Sequence, residues 1–224
     1  MSQPPTAVLL SAGLDSAVLA ASEARTAYVH PIYVAAGLAW EASEIAALDH
    51  LLASQPFAGR TASPVRLLFT VSDLYPATHW ALAGTPPAFD TPDEDVYLPG
   101  RNVMLLSKAG IHCAQQGISR LVIGPLAGNP FPDASPEFFE TMARALSLGL
   151  AHPITVETPF VSMSKADIIR LGIDLGVPLE LTLSCMNPQD GLHCGLCSKC
   201  RERRDGFREA DVTDPTSYAT RPVR

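Results

Sequence analysis

Val8-Leu9-Leu10-Ser11-Ala12-Gly13-Leu14-Asp15-Ser16-Ala17-Val18-Leu19 reads as a short apolar strand, a turn of small residues, and the first turn of a helix. In such a turn several backbone N–H groups converge at the positive end of the helix dipole, and together they seat phosphate. Gly13 can take the left-handed or strained angle the turn needs, while Ser11 and Ser16 add hydroxyl donors. Asp15 would repel phosphate unless a divalent cation lay between them, so its presence points to Mg²⁺ and ATP. Taken alone, the turn reads more simply as an ordinary strand-to-helix connection with Asp15 as its cap. The spacing matches neither the Gly-Lys-Ser/Thr phosphate loop nor the dinucleotide fingerprint.

Strand and helix patterns alternate onward from this stretch. After a helix over about 16–24, Ala27 to Val34 reads as a strand, and Glu41 to Leu52 as a helix with Ile45, Leu48, Leu51 and Leu52 on one face. Val65 to Thr70 is a third strand, Gly84 to Asp95 a loop rich in Pro, Gly and Asp, and 102–116 a helix behind Pro99-Gly100. A strand at Leu121–Gly124, a helix at Pro136–Leu148 and a strand at Thr155–Phe160 follow. Repeated βα order with nearly continuous apolar strands predicts an α/β fold, a doubly wound and mostly parallel sheet covered on both faces. Ligands of such sheets bind beyond the carboxyl ends of the strands, where the Ser11–Ser16 turn would lie.

A chain of 224 residues, 47% hydrophobic, can bury one substantial core. The reading assigns 1–160 to the nucleotide-binding α/β domain and 161–224 to a helical, zinc-binding segment packed on the same core. A formal charge of −7 argues against a nucleic-acid surface. With neither a leader-like stretch nor a long uncharged span in view, a cytoplasmic location without a membrane partner is expected.

Four of the five cysteines fall between Cys185 and Cys200, spaced Cys-x8-Cys-x2-Cys-x2-Cys. Cys185, Cys194, Cys197 and Cys200 would fill a tetrahedral Zn²⁺ with thiolates and leave no open position, which marks a structural site. An iron–sulfur cluster is the alternative that spacing leaves open. Gly195 lets the backbone turn between two ligands. His193 is expected as an exposed loop histidine, and Cys113 as a small buried hydrophobe. The basic run Lys199, Arg201, Arg203 and Arg204 is read as a solvated helix face.

Ser11-Ala12-Gly13-Leu14-Asp15-Ser16 resembles the Ser-Gly-Gly-x-Asp-Ser loop of the PP-loop ATP pyrophosphatases, with Ala12 in place of a glycine. Its methyl resists a positive φ, so a stiffer loop is expected. From about Thr6 to Tyr218 the chain looks like a 7-cyano-7-deazaguanine synthase, the QueC or ExsB family, as a divergent member. The matching pieces are that loop, Leu98-Pro99-Gly100-Arg101-Asn102, Pro132-Asp133 with Pro136-Glu137-Phe138, Thr158-Pro159-Phe160, and Ser164-Lys165-Ala166-Asp167. The four cysteines followed by Arg203 and Phe207, and Asp214-Pro215-Thr216-Ser217-Tyr218, complete the set.

The resemblance implies an adenine nucleotide alpha hydrolase-like fold and an ATP-dependent ligase forming a C–N bond. Its substrates would be 7-carboxy-7-deazaguanine and ammonia, its product the nitrile on the route to queuosine, and homodimers are common in the family. ATP would lie against Leu10, Ser11, Ala12, Gly13, Leu14, Asp15, Ser16, Ala17 and Val18, with Mg²⁺ at Asp15. Asp15, Ser16, Arg101 and Lys165 are the catalytic candidates, and Arg101, Asn102, Asp133 and Glu137 the substrate-binding ones. Residue by residue, Arg101 and Asn102 also read as a helix entry, Lys165 as a first-turn residue behind a capping box, and Asp133 and Glu137 as dipole partners.

The chain departs from the family pattern at three places. Ala36-Gly37-Leu38-Ala39-Trp40 stands where Tyr-Gly-Gln-x-His is usual, Ala134 and Ser135 replace Cys and Arg, and Met186 replaces a Tyr. The changes fall on polar groups suited to a carboxylated purine. Two alternatives therefore stay beside the synthase: a paralogue adenylating another carboxylate, amide or tRNA base, and a non-catalytic nucleotide and zinc module.

Overall fold

A computed structural model describes residues 4–220. Five strands, β1 (Thr6–Leu9), β2 (Val29–Ala35), β3 (Val65–Leu68), β4 (Arg120–Val122) and β5 (Thr155–Glu157), form one sheet in the order β3-β2-β1-β4-β5. Every pairing is parallel. The α-helices are α1 (Leu14–Glu23), α2 (Glu41–Ala53), α3 (Trp80–Ala83), α4 (Arg101–Gln115), α5 (Pro136–Leu150), α6 (Lys165–Asp174) and α7 (Ser198–Glu209).

Side chains alternate across the pleat, so each strand feeds two cores. On one face Val8, Val29, Tyr33 and Val122 meet Val18 and Leu19 of α1, Leu48 and Leu51 of α2, Ile168 and Ile169 of α6, and Phe207 of α7. On the other, Ala7, Leu9, Ile32, Val34 and Leu121 meet Leu106, Ala109 and Cys113 of α4 and Phe139 and Leu146 of α5. Each fully buried Leu or Ile contributes roughly 1.5–3 kcal/mol. Two helical layers around one parallel sheet match the expected architecture, and Cys113 is the buried hydrophobe expected of it.

The predicted elements are present with shifted ends. The last strand stops at Glu157 rather than Phe160, since Pro159 has no N–H to give the ladder. The 84–95 segment ends in a 3-10 turn at Asp93–Val96 and is preceded by α3, whose four residues are too few for a periodic signal. The sheet reverses direction of build at β1, with β2 on one side and β4 on the other. Loops leaving β1 and β4 therefore diverge and open a crevice at their carboxyl ends.

Among the described residues no helix is long and apolar enough to cross a membrane.

Candidate active site and metal centre

The turn after β1 builds the crevice floor by an unexpected division of labour. Ala12, not Gly13, takes the left-handed angle, at φ 61°, while Gly13 is extended at φ −61° and ψ 152°. Ala12 is fully buried, and its carbonyl accepts a 2.9 Å bond from Leu183 N–H, so surrounding packing holds a conformation that alanine alone disfavours. Gly13, rather than Asp15, occupies the cap position of α1, and no side chain caps that end. Ser16 Oγ instead donates to Gly13 O at 3.0 Å and accepts from Ser11 N–H at 3.3 Å. The first-turn N–H groups of α1 thus stay available for an anion.

A cavity of about 360 Å³ lies over this turn, lined by Leu10, Ser11, Gly13, Leu14, Asp15 and Ser16. Arg101, Asn102, Asp133 and Lys165 line it too, although they come from three distant parts of the chain. Ala12, Ala17 and Val18 do not; they are buried in the core beneath. Glu137 is also absent from the lining and stands exposed in the first turn of α5.

Lys165 opens α6 behind Ser164, whose hydroxyl and Asp167 make a reciprocal capping box. Its Nζ sits 2.6 Å from Asp15 Oδ2 and 2.7 Å from Glu202 Oε1 of α7. Burial alone would disfavour the ammonium, but these two carboxylates outweigh it and hold the Lys165 pKa above its ordinary value. Gly206 permits the arrangement, because a Cβ there would come within 2.4 Å of Lys165 Cγ. Asp133 anchors the other wall. Its Oδ2 accepts from Asn102 N–H at 2.9 Å, and Asn102 Nδ2 donates to the Asp133 carbonyl at 2.7 Å. Asp133 therefore pins the start of α4 at Asn102, next to Arg101, which makes no ion pair among the described residues.

Periodicity did not signal the next group. Tyr33 O–H donates to Glu44 Oε2 at 2.8 Å, and both line the cavity with Trp40 and Trp80, whose rings stack at 5.8 Å and 7°. Burial pushes the Glu44 carboxyl up to about 7 and the Tyr33 phenol well above its usual range. The available signal was a carboxylate on the apolar stripe of α2, four positions before Leu48. Trp40 and Met186, two departures from the family pattern, face this cavity, whereas Leu38 is buried in a third cluster and Ser135 caps α5.

Beside the cavity the Sγ atoms of Cys185, Cys194, Cys197 and Cys200 lie within 4.8 Å of one another, all buried. Four thiols converging without a disulfide suit one thiophilic ion, and the cluster can bind metal. Gly195 shapes it at φ 79°, with the Thr220 carbonyl where a Cβ would be.

Two expectations fail here. His193 is not exposed: its Nε2 accepts from Ser184 N–H at 3.1 Å, Tyr218 packs on its edge, and burial lowers its pKa to about 3. The segment 217–220 runs alongside, through Ala219 N–H to the His193 carbonyl and Thr220 N–H to that of Cys194. Nor is the basic run a solvated face. Arg203 is 1% exposed, donating to Thr216 Oγ1 (2.6 Å), Thr182 Oγ1 (2.8 Å), Ser184 Oγ (3.2 Å) and Leu179 O (2.7 Å). Arg201 Nη1 donates to the carbonyls of Phe89 and Thr91, and Arg204 stacks on Phe89, so α7 fastens the 84–92 loop.

Residues 6–211 match the model of a family described as queuosine biosynthesis protein QueC. A 7-cyano-7-deazaguanine synthase of Anaeromyxobacter dehalogenans is 38% identical over 95% of this chain and 94% of that protein. One from Azoarcus sp. is 37% identical over 97% and 98%, and one from Methanothrix thermoacetophila 36% identical over 94% and 96%.

Proposed function

The chain belongs to the QueC family, and from that premise we propose that it converts 7-carboxy-7-deazaguanine and ammonia to 7-cyano-7-deazaguanine with ATP. A carboxylate resists nucleophiles because its charge repels them and oxide is a very poor leaving group. One substrate oxygen attacks the α-phosphorus of ATP, pyrophosphate departs, and the resulting acyl adenylate has AMP as its leaving group. Ammonia displaces AMP to give the amide. Adenylation of the amide oxygen then lets a second AMP leave as the nitrile forms. Like other phosphoryl-group transfers, this is positioning and charge stabilisation.

The chain's own groups suit those tasks. Ser11, Gly13, Ser16 and the uncapped start of α1 take the pyrophosphate portion. Arg101, at the α4 start that Asp133 pins through Asn102, forks onto the substrate carboxylate or the α-phosphate. Lys165 carries positive charge to the same place once Asp15 is given another cation. Asp15, a hard oxygen donor in the cavity, would hold Mg²⁺, which supplies charge neutralisation of the polyphosphate when bound. Cys185, Cys194, Cys197 and Cys200 would hold Zn²⁺, which supplies a fixed crosslink between the knuckle and α7.

The observation that carries the reading is the convergence of Ser11, Gly13, Ser16, Arg101, Asn102 and Lys165 on one cavity at the carboxyl ends of β1 and β4. The experiment is mass spectrometry of products from protein, Mg·ATP, ammonium and the carboxylated deazaguanine. The nitrile with AMP is expected. ATP-bound, folded protein that yields neither amide nor nitrile overturns the reading.

A further inference from the structure

Under the proposed reaction, on which this inference rests, nitrogen enters from ammonium and leaves as a nitrile without protons. Each N–H must be removed, so the site needs a base beside the nitrogen. Among the described residues, the carboxylates lining the cavity are Asp15, Glu44, Asp133 and Glu202. Asp15 and Glu202 grip Lys165, and Asp133 holds the backbone N–H of Asn102. Their lone pairs already serve cations or the fold.

Glu44 is placed differently. It is buried on α2, it opens into the cavity, and no cation lies in ion-pair contact with it among the described residues. From β2 Tyr33 O–H donates to its Oε2, and the Trp40 side chain at the head of α2 lies beside the carboxylate. The remaining charges that face it are Glu41 on its own helix and Arg101 at the start of α4. Trp80 of α3 stacks on Trp40, and both line the cavity with Glu44. We infer that Glu44 is the general base that takes protons from the nitrogen nucleophile. The Tyr33 hydrogen bond fixes the carboxylate without neutralising it.

In the amide-forming step the nitrogen makes a bond to the acyl carbon. The bond from that carbon to the adenylate oxygen breaks, and its electron pair leaves on AMP. Ammonium gives up one proton to become the nucleophile and a second as the C–N bond forms; each goes in turn to Oε1 of Glu44, since Oε2 is held by Tyr33, and Glu44 returns it to water. In the second cycle the same oxygen accepts protons from the amide nitrogen as the second AMP departs. A carboxyl raised to about 7 by burial suits this traffic, because a base works best with a pKa near the working pH.

The test compares wild type with Glu44→Gln in two assays. Carboxylate-dependent exchange of pyrophosphate into ATP precedes any use of nitrogen, and it is expected to stay within about threefold. Amide and nitrile formation from ammonium is expected to fall about 10²-fold or more. Hydroxylamine, already neutral at pH 7, is expected to recover most of the loss as the hydroxamate. Tyr33→Phe removes a donor that favours the carboxylate, so the limb of kcat/KM for ammonium assigned to Glu44 should move to higher pH. Glu44→Gln protein that forms amide at the wild-type rate, or that loses exchange together with amide, overturns the assignment. An unmoved limb in Tyr33→Phe overturns it as well. Absence of exchange in wild type would instead defeat the proposed function itself.

Discussion

Lys165 Nζ stands 2.6 Å from Asp15 Oδ2 across 150 positions of sequence, joining the first turns of α6 and α1. With Glu202 at 2.7 Å the lysine is shared by two carboxylates that would otherwise face each other. Lys165→Met keeps the length of the side chain and removes the charge. It is expected to cost about 3–5 kcal/mol, the usual range when one partner of a buried ion pair is lost. Pyrophosphate exchange should disappear with it. The penalty should depend on pH in a stated direction. Burial alone would raise the Glu202 carboxyl, but Lys165 and then Lys199 hold it below its ordinary 4.5. The stabilisation is therefore full above 4.5 and is lost as pH falls further. Denaturant unfolding of both proteins at pH 7 and pH 3.5 checks this: the gap should narrow in acid, and a constant gap contradicts it.

Glu44 shifts the other way, and so does its linkage. Its carboxyl rises from 4.5 in the unfolded chain to about 7 in the fold, so the folded state binds more protons between those values. Stability then falls as pH rises through that window, and above pH 7 the ionised group costs about 3 kcal/mol. Glu44→Gln should be more stable than wild type at pH 8 and nearly equal to it at pH 4.5. Thermal melts across that range measure the difference, and a variant less stable at pH 8 rules the shift out.

The sheet, the order of its helices and the four cysteines were legible because each writes a periodic or spaced pattern into a short window. The turn after β1 was legible in kind but not in detail. Which of Ala12 and Gly13 takes the positive φ depends on Leu183, 171 positions away from Ala12, binding the Ala12 carbonyl. Long-range partners defeat local reading in the same way at His193 and Arg203. Each looked like a surface residue beside charged or polar neighbours, and each is buried because segments near Ser184 and Thr216 fold over it. Glu137 sat on the expected side of a matched motif, yet the first turn of α5 points it to solvent. Glu44 went unread because a carboxylate inside an apolar stripe counts as an interruption of the pattern, not as part of it.

Arg203 supplies a sharper stability test than any core aliphatic. Its guanidinium satisfies three hydroxyls and the Leu179 carbonyl while stacking at 5.3 Å on Phe207. Arg203→Lys keeps the charge but replaces a planar fork by a point donor, leaving several buried acceptors unfilled. A loss of about 3 kcal/mol or more is expected, well above an exposed Arg→Lys change such as Arg208→Lys. Urea unfolding measures both, and equal small losses would show that the network adds nothing.

Removal of metal should act through the fold and not through the reacting groups. The four sulfurs are buried together at the N-terminal end of α7, the same helix whose Glu202 and Lys199 reach the cavity. Chelation under mild denaturant should release one ion per chain, lower the unfolding midpoint, and weaken pyrophosphate exchange in step with the loss of folded protein. Gly195→Ala offers the same outcome without a chelator. Its Cβ would fall 1.7 Å from the Thr220 carbonyl at a φ that L residues rarely adopt, so the knuckle must deform. Elemental analysis of the purified variant is expected to find substoichiometric metal, whereas Cys113→Ala, whose thiol lies in the core beneath α4, should keep the full complement. Full metal in Gly195→Ala, or loss of metal in Cys113→Ala, would place the ligands elsewhere.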